Sequence, residues 1–162
     1  MAVKLNVLPD NIEKFKKLAE GKLTNPEHTC ALFLCALSIL AKDKDQGIEA
    51  INVLKGPQPL TNLEISWLAD RISDKTYLAN VYFEGATPEN NYTPNKPYMI
   101  KFYKDPRPQD LEPKFMKLLV KNVGFDAPRE FTLRNKGDNW YIWDINSIMM
   151  GVRTPEEIDP WA

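Results

Sequence analysis

The chain is expected to adopt an α+β fold, with four N-terminal helices packed on one face of a C-terminal antiparallel sheet of four or five strands. Three observations predict it. Residues 10–73 carry apolar side chains at helical spacing, whereas residues 77–146 alternate apolar and polar in short runs. Residues 30–41 are apolar all round apart from Ser38, the pattern of a buried central helix. The strand-like runs are joined by short, turn-rich links, which favours antiparallel pairing with one covered face.

The first helix is expected to start at Asp10 as N-cap, with Glu13 three residues on, and to stop near Gly21. Ile12, Phe15, Leu18 and Ala19 share its inner face. Asn25 and Pro26 open the second helix. The third is predicted over 45–55, with Ile48, Ile51 and Leu54 inward, Gly56 at its end, and Pro57 and Pro59 barring continuation. Thr61 to Glu64 reads as a capping box for the fourth, whose buried stripe is Ile65, Leu68, Ala69 and Ile72, with Trp67 at its edge.

Beyond residue 75 the period is two. Tyr77, Ala79, Val81 and Phe83 predict a first strand, and Tyr98, Ile100 and Phe102 a second. A third is predicted over 115–123, with Met116, Leu118 and Val120 toward the core. Phe131 and Leu133 lie on the next, and Asn135 to Asp138 turns into a last strand over 140–145. Residues 85–96 and 106–113 read as loops, each with several prolines or asparagines. The whole reads as one domain over 1–162: a helical part at 10–73, a β part at 77–148 and an extended tail at 153–162.

Length and composition suit one soluble globular core. Net charge is −1, and each half is balanced: 10 basic against 10 acidic side chains over residues 1–75, and 11 against 12 over the rest. That balance argues against nucleic acid as a partner. No apolar signal core follows Met1, since Lys4, Pro9 and Asp10 interrupt it. The apolar run at 30–41 is too short for a membrane span, which needs about 18–20 residues. A cytoplasmic protein without membrane contact is expected.

Chemistry-bearing constellations are sparse. Cys30 and Cys35 fall about 140° apart on a helix, roughly 8 Å between Cα atoms and beyond disulfide reach, so buried, reduced thiols are expected. His28 and Cys30 are about 200° apart, which disfavours a metal site. His28 is the only histidine and reads as a packing residue at a helix start. No nucleophile elbow, phosphate-binding loop or dinucleotide fingerprint occurs, and no catalytic residue and no cofactor are assigned. Asn91-Tyr92-Thr93 matches a glycosylation acceptor, meaningful only in a secreted eukaryotic chain. Asp126 with Arg129 is expected to pin the 124–129 connection, and Arg153 to tie the tail to the sheet.

Three sets of residues occur in order: Tyr82 to Pro88 running into Asn91 to Pro94; Gly124 to Arg129; and Trp140 to Trp143 with Gly151-Val152-Arg153 and Asp159 to Ala162. Together they resemble an uncharacterised family of bacterial proteins, mainly from Firmicutes, classed as a domain of unknown function. The resemblance covers about residues 60–162. It implies a bacterial origin and transfers neither an activity nor catalytic residues.

The functional lead is aromatic. Tyr82, Tyr92, Tyr98, Tyr103, Tyr141, Trp143 and Trp161 concentrate in the β half, and such side chains combine contact area with a polar handle. The sequence favours a non-catalytic binding or protein-interaction module over an enzyme. Its candidate contact residues are Tyr82, Tyr92, Tyr103, Tyr141, Trp143, Arg129 and Arg153, and its partner is an unknown protein or small molecule. The alternative is a small-molecule pocket, enzymatic or not, between the helices and a curved sheet similar to the nuclear-transport-factor-2-like cone, with Asp144, Asp126 or Arg129 on its rim. Several hundred cubic ångströms lined by convergent polar groups would favour the pocket, and exposed aromatic surface would favour the module.

Overall fold

The computed structural model describes residues 1–105 and 112–162, so most of the 106–113 loop lies outside the described residues. The element order is β1 (Ala2–Leu5), α1 (Ile12–Ala19), α2 (Pro26–Leu40), α3 (Lys44–Lys55), α4 (Asn62–Ser73), β2 (Tyr98–Lys101), β3 (Phe115–Val120), β4 (Arg129–Lys136) and β5 (Asn139–Asp144). The α+β class and the order of helices before sheet are those the periodicity predicts.

Each helix starts on a side-chain cap. Asn11, not Asp10, caps α1 by accepting from the Lys14 amide, and Asp10 instead pairs with the Lys14 ammonium at 3.1 Å. Asn25 caps α2 with Pro26 in its first turn, and Asp43 caps α3 by accepting from the Gln46 amide. Thr61 and Glu64 exchange both bonds of a capping box at α4. α2 is buried along almost its whole length, as an all-round apolar helix must be. α4 is the opposite case: only Leu68 and Ile72 are buried, and Ile65 and Ala69 stay half-covered.

The β half departs from expectation in three places. Residues Leu78–Tyr82 form a 3-10 helix rather than a strand. Leu78, Ala79, Val81, Tyr82 and Phe83 are all buried, so both faces of this segment are covered and its alternation carries no strand information. A strand at residues 2–5, which the periodicity does not predict, pairs antiparallel with β2, Val3 opposite Ile100. The five strands are divided between a two-stranded sheet (β1-β2) and a three-stranded one (β3-β4-β5). Among the described residues, one antiparallel bridge, Tyr103 to Leu119, joins them in place of a single continuous sheet.

The core runs through both halves. Phe131 of β4 meets Phe33 of α2 edge-on at 6.1 Å and Phe102 at 6.3 Å. Leu118, Val120, Leu133 and Ile142 point into the same cluster. The α1–α2 connection and the first turn of α2 dock on the outer edge of β5: the Trp140 amide donates to the Leu23 carbonyl at 2.7 Å, and the Thr29 hydroxyl donates to the Trp140 carbonyl at 2.9 Å. These bonds hold β5 in place against the helices.

Candidate functional site

Among the described residues, β5 pairs with another strand only on its β4 side. Its register with β4 shifts between Leu133, opposite Ile142, and Thr132, opposite Asp144, which leaves Trp143 as the extra residue of a bulge. A bulge re-aims the side chain it carries. Ile142 goes into the core, while Trp143 is 43% exposed.

Facing this strand is the thinly packed α4. Between them lies a groove of about 650 Å³. Phe33 and Ile51 reach it from below, Leu60, Leu63, Trp67 and Leu68 form one wall, and Trp143 and Ile145 form the other. Leu63 is 82% exposed, an apolar side chain on a helix left largely open by the described residues. Polar groups at the rim are turned toward one another. Lys55 Nζ stands 3.8 Å from Glu64 Oε2, and Asp144 Oδ1 accepts from the Asn146 amide at 2.9 Å.

Trp143, Ile142 and Lys55 also line a second recess of about 350 Å³, completed by Pro57, Gln58, Arg134, Asn135, Lys136 and Tyr141. Three of these residues are cationic and none is acidic. The Arg134 guanidinium lies 4.7 Å from the Trp143 ring and 5.4 Å from that of Phe115, and the two rings meet edge-on at 5.5 Å. Gly56 closes the end of α3 with φ +69°, and a Cβ there would come within 2.9 Å of the Tyr141 ring, so the absent side chain lets Tyr141 settle against the helix end. The groove and the recess thus form one surface, apolar at the α4 end and basic at the β4–β5 turn.

Of the residues singled out from sequence, Tyr141, Trp143 and Asp144 meet here. Tyr103 lies elsewhere, at the bridge between the sheets, with Lys121 Nζ 5.0 Å from its ring. Tyr82 and Tyr92 are buried and offer no surface to a partner. The Tyr82 hydroxyl donates to the Ile148 carbonyl at 2.5 Å, and the Tyr92 hydroxyl to the Arg153 carbonyl at 2.6 Å. Burial raises both phenols, Tyr92 to about 12 with a further push from Tyr77, whose ring stacks on it at 5.5 Å. The 85–96 loop is knit together by Asn90, whose Oδ1 accepts from the Thr87 and Thr93 amides and whose Nδ2 donates to the Gly85 carbonyl.

The expected pairing of Asp126 with Arg129 is replaced by an exchange of partners. Arg129 Nη2 donates to the Gly151 carbonyl at 2.8 Å, and its guanidinium lies 4.9 Å from the Phe125 ring. Asp126 is left to Arg153, 2.5 Å away, so Arg153 ties the tail to the 124–129 connection.

Cys30 and Cys35 are buried free thiols; burial lifts Cys35 to about 12 and Cys30 well above its ordinary range, Glu27 adding to the latter. Among the described residues, no group of three or more His, Cys, Asp or Glu side chains could hold a metal ion. None of the described helices is long and apolar enough to cross a membrane.

The sequence reading missed Lys55, Leu63, Arg134 and Lys136. An apolar residue off the buried stripe of α4 was the available signal for Leu63. For the cations there was none, since residue 55 and residues 134–136 meet only through the fold.

No curated protein and no solved structure matches the chain. A family model described as a domain of unknown function (DUF6935) matches residues 7–156, which takes in the helical half as well as the blocks at 82–153. The chain belongs to this DUF6935 family.

Proposed function

We propose that the protein is a non-catalytic binding module. Its contact surface is the groove between α4 and β5 together with the basic recess beside it, and its ligand is an acidic peptide segment carrying an aromatic or large aliphatic anchor. The observation that carries this reading is the juxtaposition of an apolar groove, with Leu63 82% exposed on one wall and Trp143 on the other, and a recess holding Lys55, Arg134 and Lys136 without a lining carboxylate. Exposed apolar side chains in a concave surface are the usual anchors of a partner, and a cationic flank selects acidic residues next to the anchor.

A small-molecule pocket or enzyme remains the second reading, because about 650 Å³ is a small molecule's volume. The polar groups at the rim argue for the first: Lys55 with Glu64, and Asp144 with the Asn146 amide, engage each other instead of converging on the cavity.

The test uses an end-blocked decapeptide of Glu and Gly with one central Trp, beside its Lys counterpart. Titration followed by amide NMR should shift Leu63, Tyr141, Trp143 and Lys136 with the acidic peptide only. Leu63→Glu should abolish the shifts and Arg134→Ala weaken them. Equal response to both peptides, or shifts confined to the opposite face, would sink the reading.

A further inference from the structure

We infer that the groove of one molecule takes the C-terminal tail of a second copy of the chain. The inference rests on the binding-module reading and names the occupant. Pro155 is buried and roots the tail. Just beyond it, the Glu156 amide donates to the Pro88 carbonyl at 2.9 Å and the Glu157 amide to Asn91 Oδ1 at 3.0 Å. Asp159 then shapes the last turn, accepting from the Trp161 amide at its Oδ1 (2.9 Å) and from the Ala162 amide at its carbonyl (3.2 Å). A segment held this way is pre-formed for binding, since little ordering remains to be done.

This pre-formed tail displays the complement of the groove. Ile158 is 59% and Trp161 93% exposed, apolar side chains that the described residues of their own molecule leave largely open. Glu156, Glu157 and Asp159 place three carboxylates within four residues, against Arg134 and Lys136 of the recess, where Lys55 is shared with Glu64. Arg153, which lines a recess beside the tail, is already engaged by Asp126. Neither Ile158 nor Trp161 lines its own groove, and the bonds to Pro88 and Asn91 hold the tail root elsewhere on the molecule. Tail and groove are different surfaces, so the contact is heterologous, and successive copies add head to tail until they close into a ring or continue as an open chain.

The test is sedimentation equilibrium of the full chain from about 10 μM to about 1 mM, the range of a weak, small interface. The mass average should rise with concentration, and rise less at about 500 mM salt than at about 50 mM. Trp161→Ala lacks the knob and Leu63→Glu lacks the socket; both changes are at exposed positions, and circular dichroism checks that each variant folds. Each alone should remain monomeric. Mixed in equal amounts they should form a heterodimer of one each and go no further, because only the groove of the first and the tail of the second are intact. Wild-type chain that stays monomeric at about 1 mM overturns the inference. So does association that survives Trp161→Ala, or variants that fail to complement. Binding of the strand dT10 to the recess without self-association also overturns it. The acidic decapeptide separates the two failures: if it binds the groove while the chain stays monomeric, only the identity of the occupant falls; if neither occurs, the binding-module reading falls too.

Discussion

The Tyr92 hydroxyl donates to the main-chain carbonyl of Arg153 across 61 residues of sequence, at 2.6 Å. Tyr92 is buried, whereas the Arg153 side chain reaches outward to the exposed carboxylate of Asp126. The same residue is thus held twice, once from inside through its backbone and once from outside through its charge. A third tie, from the Arg153 amide to the Gly124 carbonyl at 2.8 Å, needs neither side chain.

The inner tie should dominate. Tyr92→Phe removes the donor and leaves the Arg153 carbonyl short of its partner, a loss of about 1–2 kcal/mol. Arg153→Ala removes a solvent-exposed ion pair and should cost under about 1 kcal/mol. Urea denaturation of the two variants gives the comparison, and a larger loss for Arg153→Ala would show that the outer ion pair holds the tail.

At α4 the capping box satisfies two backbone donors that would otherwise be open: Thr61 Oγ1 accepts from the Glu64 amide at 3.2 Å, and Glu64 Oε1 from the Thr61 amide at 3.0 Å. Because this helix buries only Leu68 and Ile72, its start depends on the cap more than on packing. Thr61→Ala should cost about 1 kcal/mol, and Thr61→Ser much less. Hydrogen exchange should show the loss concentrated in the first turn of α4; uniform loss across the molecule would contradict the local account.

The contrast between α2 and α4 marks what sequence can carry. α2 was legible because an all-round apolar run has one stable location, and the Thr61 box because its chemistry is local. The segment at Leu78–Tyr82 was not legible, since burial on both sides erases the periodicity that separates a strand from a 3-10 turn. β1 is only four residues long, and its partner β2 lies nearly 100 residues away, so no local pattern announces it. Within the site, Tyr141 and Trp143 were visible as aromatic residues, but their meeting with Lys55, Leu63 and Arg134 is a product of tertiary packing. Tyr82 and Tyr92 were read as surface residues because their acceptors are backbone carbonyls, which a sequence does not display.

The two thiols set an alkaline limit. Cys35 holds its proton up to about 12 because it is buried, against an ordinary value of 9.0, and Cys30 is shifted in the same direction. Tyr92 behaves alike, at about 12 against 10.0. Each folded-state value lies above the unfolded one, so the native state binds the proton more tightly. The contribution of each group is therefore complete below its unfolded value and is lost as the pH rises through its folded one. Stability should fall progressively from pH 9 toward 12, and Cys35→Ala should flatten part of that slope. In the native protein at about pH 8 a disulfide reagent should find no reactive thiol, and two per chain after unfolding in guanidinium. Rapid native labelling would mean that α2 opens.

Gly56 separates backbone strain from side-chain collision when set against Gly21. Both have φ near +70°, which strains an L-residue by roughly 1–2 kcal/mol, and Gly56 adds a ψ of −133°, outside the left-handed region and costlier still for an L-residue. A Cβ on Gly21 meets nothing within 4 Å, whereas on Gly56 it meets the Tyr141 ring at 2.9 Å. Gly21→Ala should therefore cost only the backbone term, about 1 kcal/mol, and Gly56→Ala at least about 1 kcal/mol more. Part of the excess belongs to the contact with Tyr141 and part to the ψ of −133° at Gly56, so it should shrink but not vanish in the background Tyr141→Ala, making the pair non-additive. Chemical denaturation of the four variants measures this coupling. Strict additivity would mean that the ring moves aside at no cost, and that the recess wall it forms is soft.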